Sequence, residues 1–140
     1  MRLWHTDLIS VLPKEQLVGQ WRELSAIAGS IKQKGTPNHL LVNFVMDYDL
    51  DHFINYARMI RAEMTKRGYR TANSVWEKIA SLKEDYTLIK DKEVYPDIMN
   101  SQYLSICYEN LLEKFIRGGI SEEDMNNIEE VFKEAFEVNM

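Results

Sequence analysis

Apolar residues return at helical spacing along most of the chain. Leu17, Val18, Trp21, Leu24, Ala28 and Ile31 fall three or four positions apart, the interval that aligns side chains on one face of a helix. Pro13 suits the first helical position, and Glu15 places an acid in the positive first turn. A second face, built from Leu50, Phe53, Ile54, Ala57, Ile60 and Met64, predicts a helix from about Asp49 to Arg67, with Gly68 as its left-handed cap. Ser74 with Glu77 three residues later reads as a capping box opening a third helix through Val75, Trp76, Ile79 and Leu82, ending near Tyr86. A fourth, from about Pro96, buries Leu104, Cys107, Tyr108, Leu111, Leu112 and Phe115 and stops at Gly118-Gly119. The fifth has Ser121 as N-cap, an Ile120–Met125 staple, and an inward face of Met125, Ile128, Phe132, Ala135 and Phe136.

Between the first two helices lies a loop from about Lys32 to His39, then the apolar run "LLVNFV", too short for periodicity to separate a strand from a packed segment. With no convincing strand pair and no internal repeat, the pattern predicts a compact all-α single domain, residues 1–140, of about five helices. Residues 86–95 are its expected internal seam.

Composition narrows this picture. At 140 residues, 45% hydrophobic and 28% charged, the chain has the make-up of a soluble globular domain large enough to bury a core of its own. Its one cysteine, Cys107, cannot form an internal disulfide and falls on a core face. No apolar run approaches the roughly 18 residues a membrane helix needs, and the N-terminus lacks the apolar core of a signal peptide. The expectation is a cytoplasmic protein without membrane contact. Net charge is −5, unevenly distributed: residues 1–85 carry 12 Lys/Arg against 10 Asp/Glu, and residues 86–140 carry 5 against 12. An anionic ligand therefore belongs on the N-terminal part, and the acidic last helix is a candidate surface for a protein partner.

Metal and nucleophile motifs are missing. Asp47, Asp49 and Asp51 alternate like the start of a calcium loop, but His52 stands where glycine is required and Arg58 where a bidentate glutamate is required. They read instead as charges at the start of the second helix. His5, His39 and His52 have no metal-type spacing, and neither a nucleophilic triad nor a phosphate-cradling glycine loop can be assembled. No metal or other cofactor is expected. One polar stripe remains, Gln16, Gly19, Gln20 and Glu23 on the first helix. Glu23 is either a surface charge beside Arg22 or a carboxylate around which Gly19 clears space.

The stretch "MRLWHTDLISVLPKEQLVGQWRE", followed by "HLLVNFV" and "MIRAEMTKRGY", resembles the pyrimidine-dimer DNA glycosylases of the phage endonuclease V type. The likeness covers roughly residues 1–70. It is carried by Leu8, Ser10 and Leu12, by Arg22-Glu23-Leu24, and by Lys66-Arg67-Gly68 followed by Tyr69.

That resemblance implies a compact all-α fold, with residues 1–85 as a catalytic part and 86–140 as an acidic helical extension. It implies a partner, double-stranded DNA carrying ultraviolet damage, and a mechanism in which the α-amino group of the first residue attacks the sugar carbon bearing the damaged base. The resulting imine would be assisted by a glutamate, matched here by Glu23, and the strand cut by elimination, which makes the activity that of a glycosylase and abasic-site lyase. Because Arg2 follows Met1 directly, initiator removal is blocked and Met1 is the residue expected to carry the amine. Candidates for holding phosphates are Arg2, Arg22, Lys32, Lys34, Arg58 and Arg61. Besides this retained Met1, where the phage type exposes a small residue, two further features depart from the phage type. Ala26 replaces a second arginine, and the acidic helix from Ser121 to Val138 stands in place of an aromatic-rich tail. The alternative is a non-catalytic relative that binds nucleic acid or protein, with Glu23 and Arg22 paired structurally.

Overall fold

The computed structural model of the chain describes residues 2–37 and 40–137. Five α-helices carry it: α1 (Lys14–Lys34), α2 (Leu50–Lys66), α3 (Asn73–Ala80), α4 (Ser101–Ile116) and α5 (Glu122–Glu137). Short 3₁₀ segments span Thr6–Val11, Leu40–Asp47 and Asp91–Glu93, and the described residues contain no strand. The protein is all-α, and the "LLVNFV" run is helical, burying Val42 and Val45.

α1 and α2 pack on each other, and α3 closes against both. Their shared core holds Leu17, Trp21, Leu24, Ile27, Ala28 and Ile31 of α1 with Phe53, Ile54, Tyr56, Ala57, Ile60 and Met64 of α2. α5 packs on α4 and on the Thr6–Val11 segment, with Met125 and Ile128 inward and Phe132 stacked on Tyr108 at a centroid distance of 4.1 Å.

Three helix starts differ from the sequence expectation. Pro13 is the N-cap of α1, one residue outside the helix, and its carbonyl accepts the Leu17 N–H at 3.0 Å. α3 begins at Asn73 with Ala72 as N-cap, so Ser74 and Glu77 do not act as a capping box. Arg61 fixes the preceding turn by donating to Thr71 Oγ1 and Asn73 Oδ1, at 3.1 and 2.7 Å, and the helix closes at Ala80, before Leu82. α4 begins at Ser101, because the side chain of Asn100 accepts the Tyr103 N–H at 2.8 Å. The residues before it are held in turns by Tyr95, which takes a φ of 50° among the rings of Phe44, Tyr48 and His52.

The 86–95 segment is stitched to α2. Asn55, fully buried, donates to Thr87 O at 2.8 Å and accepts from Ile89 N–H at 3.0 Å; Asp51 accepts from Thr87 N–H, and Arg58 donates to Ile89 O and Asp91. A buried amide that spends both ends on backbone replaces the ladder an irregular segment lacks.

Arg67 does the same for the N-terminal segment. Its guanidinium donates to the carbonyls of Leu12, Ser10 and Ile9, at 2.7, 3.2 and 3.4 Å, while Glu63 steadies it at 2.9 Å. The α2 end that aims it is closed by Gly68, at a φ of 82°, with Tyr69 N–H reaching back to Met64 O at 2.8 Å.

Two histidines serve as backbone acceptors. His5 Nδ1 accepts Asp7 N–H and His52 Nδ1 accepts Tyr95 N–H, each at 3.0 Å. Protonating either Nδ1 would remove its acceptor lone pair. Burial is the largest effect on each and holds both below the ordinary histidine pKa, against opposing pulls from Asp7 on His5 and from Asp51 and Asp49 on His52. Below a pH of about 6.5 the unfolded chain therefore binds more protons than the folded one, and stability present above that pH is lost as pH falls through it. Melting temperature is expected to drop between pH 7.5 and 5.5, and the double variant His5→Asn/His52→Asn, whose amide oxygens can accept the same N–H groups, is expected to flatten that slope. An unchanged slope in the double variant would assign the effect to other groups.

Candidate active site

Residues 2–5 form an extended strap that no ladder supports. Leu3 is fully buried, Trp4 and His5 nearly so. Such a strap is stable only if its peptide groups find partners, since a buried unpaired one costs about 1–3 kcal/mol. Side chains from three helices supply them.

Gln20 of α1, only 1% exposed, is central. Its Oε1 accepts Trp4 N–H at 2.8 Å, and its Nε2 donates to Arg2 O at 2.9 Å. Tyr56 of α2 places its hydroxyl 2.6 Å from Trp4 O and 2.9 Å from Gln20 Oε1; with one proton to give, it favours the nearer carbonyl. Burial raises the Tyr56 phenol well above its ordinary pKa, so it remains a donor at any working pH. From α4, Tyr103 donates to Leu3 O. Burial likewise raises the Tyr103 phenol and the Cys107 thiol, while the Arg2 guanidinium beside them pulls both the other way.

Glu23 joins this network. The Gln20 nitrogen that holds Arg2 O also donates to Glu23 Oε2, at 3.1 Å. The half-buried carboxylate is thus turned toward the first residue of the strap. Gly19 lies one turn before Glu23, and among the described residues a Cβ added there would meet nothing within 4 Å outside its own helix. Glu23 and Arg2, distant in sequence, are brought together; Met1 and His39 lie outside the described residues.

The remaining predicted cations are spread out. Arg22 is exposed on α1, and Lys34, exposed, sits eleven residues beyond Glu23, about 16 Å along the same helix at 1.5 Å per residue. Lys32 donates to Ser81 Oγ. Arg58 is committed to Asn55, Ile89 and Asp91, and Arg61 to Thr71 and Asn73, with its guanidinium 5.3 Å from the Trp76 ring centre. Arg58 also faces a groove of about 280 Å³ shared with Lys66, where Glu63 and Asp91 balance the charge. Arg22 and Lys34 make no hydrogen bond or ion pair among the described residues.

Gln20 lies on the polar stripe of the first helix with nothing in the sequence to mark its role, and neither Tyr56 nor Tyr103 belongs to a pattern that singles it out. The available signal was a glutamine in a stripe that also holds Glu23. Its true partners are backbone atoms 16 and 18 residues away, which no side-chain pattern encodes.

No helix among the described residues is long and apolar enough to cross a membrane. Searches of the curated proteins and of the solved structures each returned no match. The family comparison is positive: the model of the pyrimidine dimer DNA glycosylases matches residues 1–77, which include the strap, Gln20, Glu23, Tyr56 and the Arg67 clamp. With more than half of its length matched, the chain belongs to the pyrimidine dimer DNA glycosylase family.

Proposed function

We propose that the protein excises pyrimidine dimers from double-stranded DNA and cuts the resulting abasic site, with the α-amine of Met1 as nucleophile and Glu23 as the catalytic carboxylate. The observation that carries this reading is the shared Gln20 nitrogen, which holds Glu23 and the carbonyl of Arg2, the residue bonded to Met1. An α-amine has a reference pKa of about 7.7–8.0, so a useful fraction is neutral near pH 7, far more than for an ordinary lysine.

The nitrogen would form a bond to the sugar carbon as that carbon's bond to the damaged base breaks, the base leaving with its electron pair and a proton. The nitrogen lone pair then forms the second bond to that carbon as the carbon's bond to the ring oxygen breaks; the oxygen keeps the electron pair and takes a proton, leaving an open sugar held as a protonated imine. Removal of a proton from the neighbouring sugar carbon then expels the 3′ phosphate. A carboxylate at Glu23 suits the charge that develops on sugar and imine, and it suits the proton transfers. Reaching the sugar requires unstacking the lesion, which costs a few kcal/mol and least at damaged bases. Arg22 and Lys34, with no hydrogen bond or ion pair to break among the described residues, are the readiest of the six phosphate candidates. Arg2, Lys32, Arg58 and Arg61 would have to share or exchange their present contacts.

Untagged protein with a free N-terminal amine, incubated with an abasic duplex and borohydride, is expected to form a covalent adduct. Absence of the adduct would leave the non-catalytic binding module as the better reading. Glu23→Gln keeps an acceptor for Gln20 and should melt like wild type, while strand cleavage drops by about a hundredfold or more, the range of a lost general acid or base.

Gly19→Ala separates stability from function. Relieving a mid-helix glycine should stabilise the protein by about 0.5–1 kcal/mol. If the sugar uses the space beside Glu23, cleavage falls in the same variant that melts higher; a variant that is both more stable and fully active removes Gly19 from the site.

Arg22→Ala should weaken DNA binding and reduce the slope of log K against log salt by about one, as for a lost phosphate contact. An unaltered slope would exclude Arg22 as such a contact.

A further inference from the structure

We infer that Gln20 is the positioning residue of this site, the group through which the fold of the Arg2–Trp4 strap sets the orientation of Glu23. The inference rests on the imine reading above for its chemical meaning, but its geometry stands independently.

The orientation of the amide is dictated by the strap. Trp4 N–H can only donate, so it must face Oε1; the Arg2 carbonyl can only accept, so it must face Nε2. With both ends assigned, the second hydrogen on Nε2 is directed to Glu23 Oε2. The amide cannot flip without opposing donor to donor at Trp4 and acceptor to acceptor at Arg2. It cannot swing out either, because it is buried and Tyr56 stands against its oxygen. Both hydrogens of the amide and one lone pair of its oxygen are therefore used, two of these three positions to read the strap and one to hold the carboxylate.

No other side chain of this shape reproduces the pattern. Glutamate has no donor for Arg2 O or Glu23 when ionised and would place a second carboxylate beside Glu23. Methionine has neither function. A bond to a charged acceptor is also the stronger kind, so Gln20 favours an ionised Glu23 turned toward the strap's first residue.

The test uses the full chain with its native N-terminus and a duplex containing one abasic site, with the variants Gln20→Met and Gln20→Glu. Cleavage is followed in single turnover at saturating and subsaturating DNA, and the Glu23 carboxyl is titrated by carbon NMR, assigned through its disappearance in Glu23→Gln. Gln20→Met is expected to melt cooperatively and keep its apparent DNA affinity while losing on the order of a hundredfold in the saturated rate, as a misplacement of about 1 Å can cause. Its Glu23 should titrate at higher pH than in wild type, since a donor to the ionised form is gone, and Gln20→Glu should raise it further and shift the acid limb of the rate profile upward. Should Gln20→Met fail to fold, the isosteric Gln20→Glu is read in its place.

A folded variant with the wild-type saturated rate and the wild-type Glu23 titration overturns the inference. If wild type itself gives no borohydride adduct, the imine reading falls and the titration alone decides: a raised Glu23 supports the hold exerted by Gln20, and an unmoved one sinks it.

Discussion

The structure depends on burying a length of backbone that has no helix or sheet to satisfy it. Residues 2–5 enter the core as a strap, and the 3₁₀ turn that follows ends over residues 9–12 with carbonyls that no further helical turn satisfies. Gln20, Tyr56 and Tyr103 answer the peptide groups of the first stretch, and Arg67 answers three carbonyls of the second. These bonds are individually modest, about 0.5–1.5 kcal/mol net when made, but leaving the same groups buried and unpaired would cost more than making them gains. The arrangement is thus all or nothing. The apolar faces of α1 and α2 supply the driving force, and the polar side chains decide which backbone may share the interior.

Seen this way, the stretches that carry the family likeness are largely clamps. Lys66-Arg67-Gly68-Tyr69 is a helix end that aims a guanidinium at the N-terminal segment, with Gly68 in the left-handed conformation the turn demands. The stretch around Arg22-Glu23 includes the glutamine that reads the strap. Helix faces were legible from spacing because burial follows the 3.6-residue period, and Leu17, Leu24, Phe53, Ile60, Leu104 and Ile128 all lie inside. The start at Asn73 was not legible, because Arg61 sets it from another helix, while the start at Ser101 had a local signal in Asn100, whose side chain caps it. Glu23 could be named from the resemblance alone. Gln20 could not be given its task, since its informative partners are main-chain atoms.

Charge follows a related logic. Much of the positive charge of residues 1–85 is employed within the protein: Arg67 on carbonyls, Arg58 and Arg61 on loops, Lys78 on Ser25, and Lys83 on Asp49 and Asp51. Net charge is therefore a poor guide to which cations are available at the surface: Arg22, Lys34, Lys66 and Arg70 make no hydrogen bond or ion pair among the described residues.

Tyr103 stands outside the matched residues 1–77, yet its hydroxyl completes the strap at Leu3, and Cys107 on the same helix lies against Arg2. The boundary of family likeness is therefore not a boundary of architecture. Whatever the second half contributes in buried apolar surface through Leu104, Leu111, Met125 and Ile128, its polar contribution to the strap is one donor at one buried carbonyl. That is a requirement on a single atom's location, too sparse to register as a motif, and it ties the matched residues 1–77 to a helix that lies beyond them.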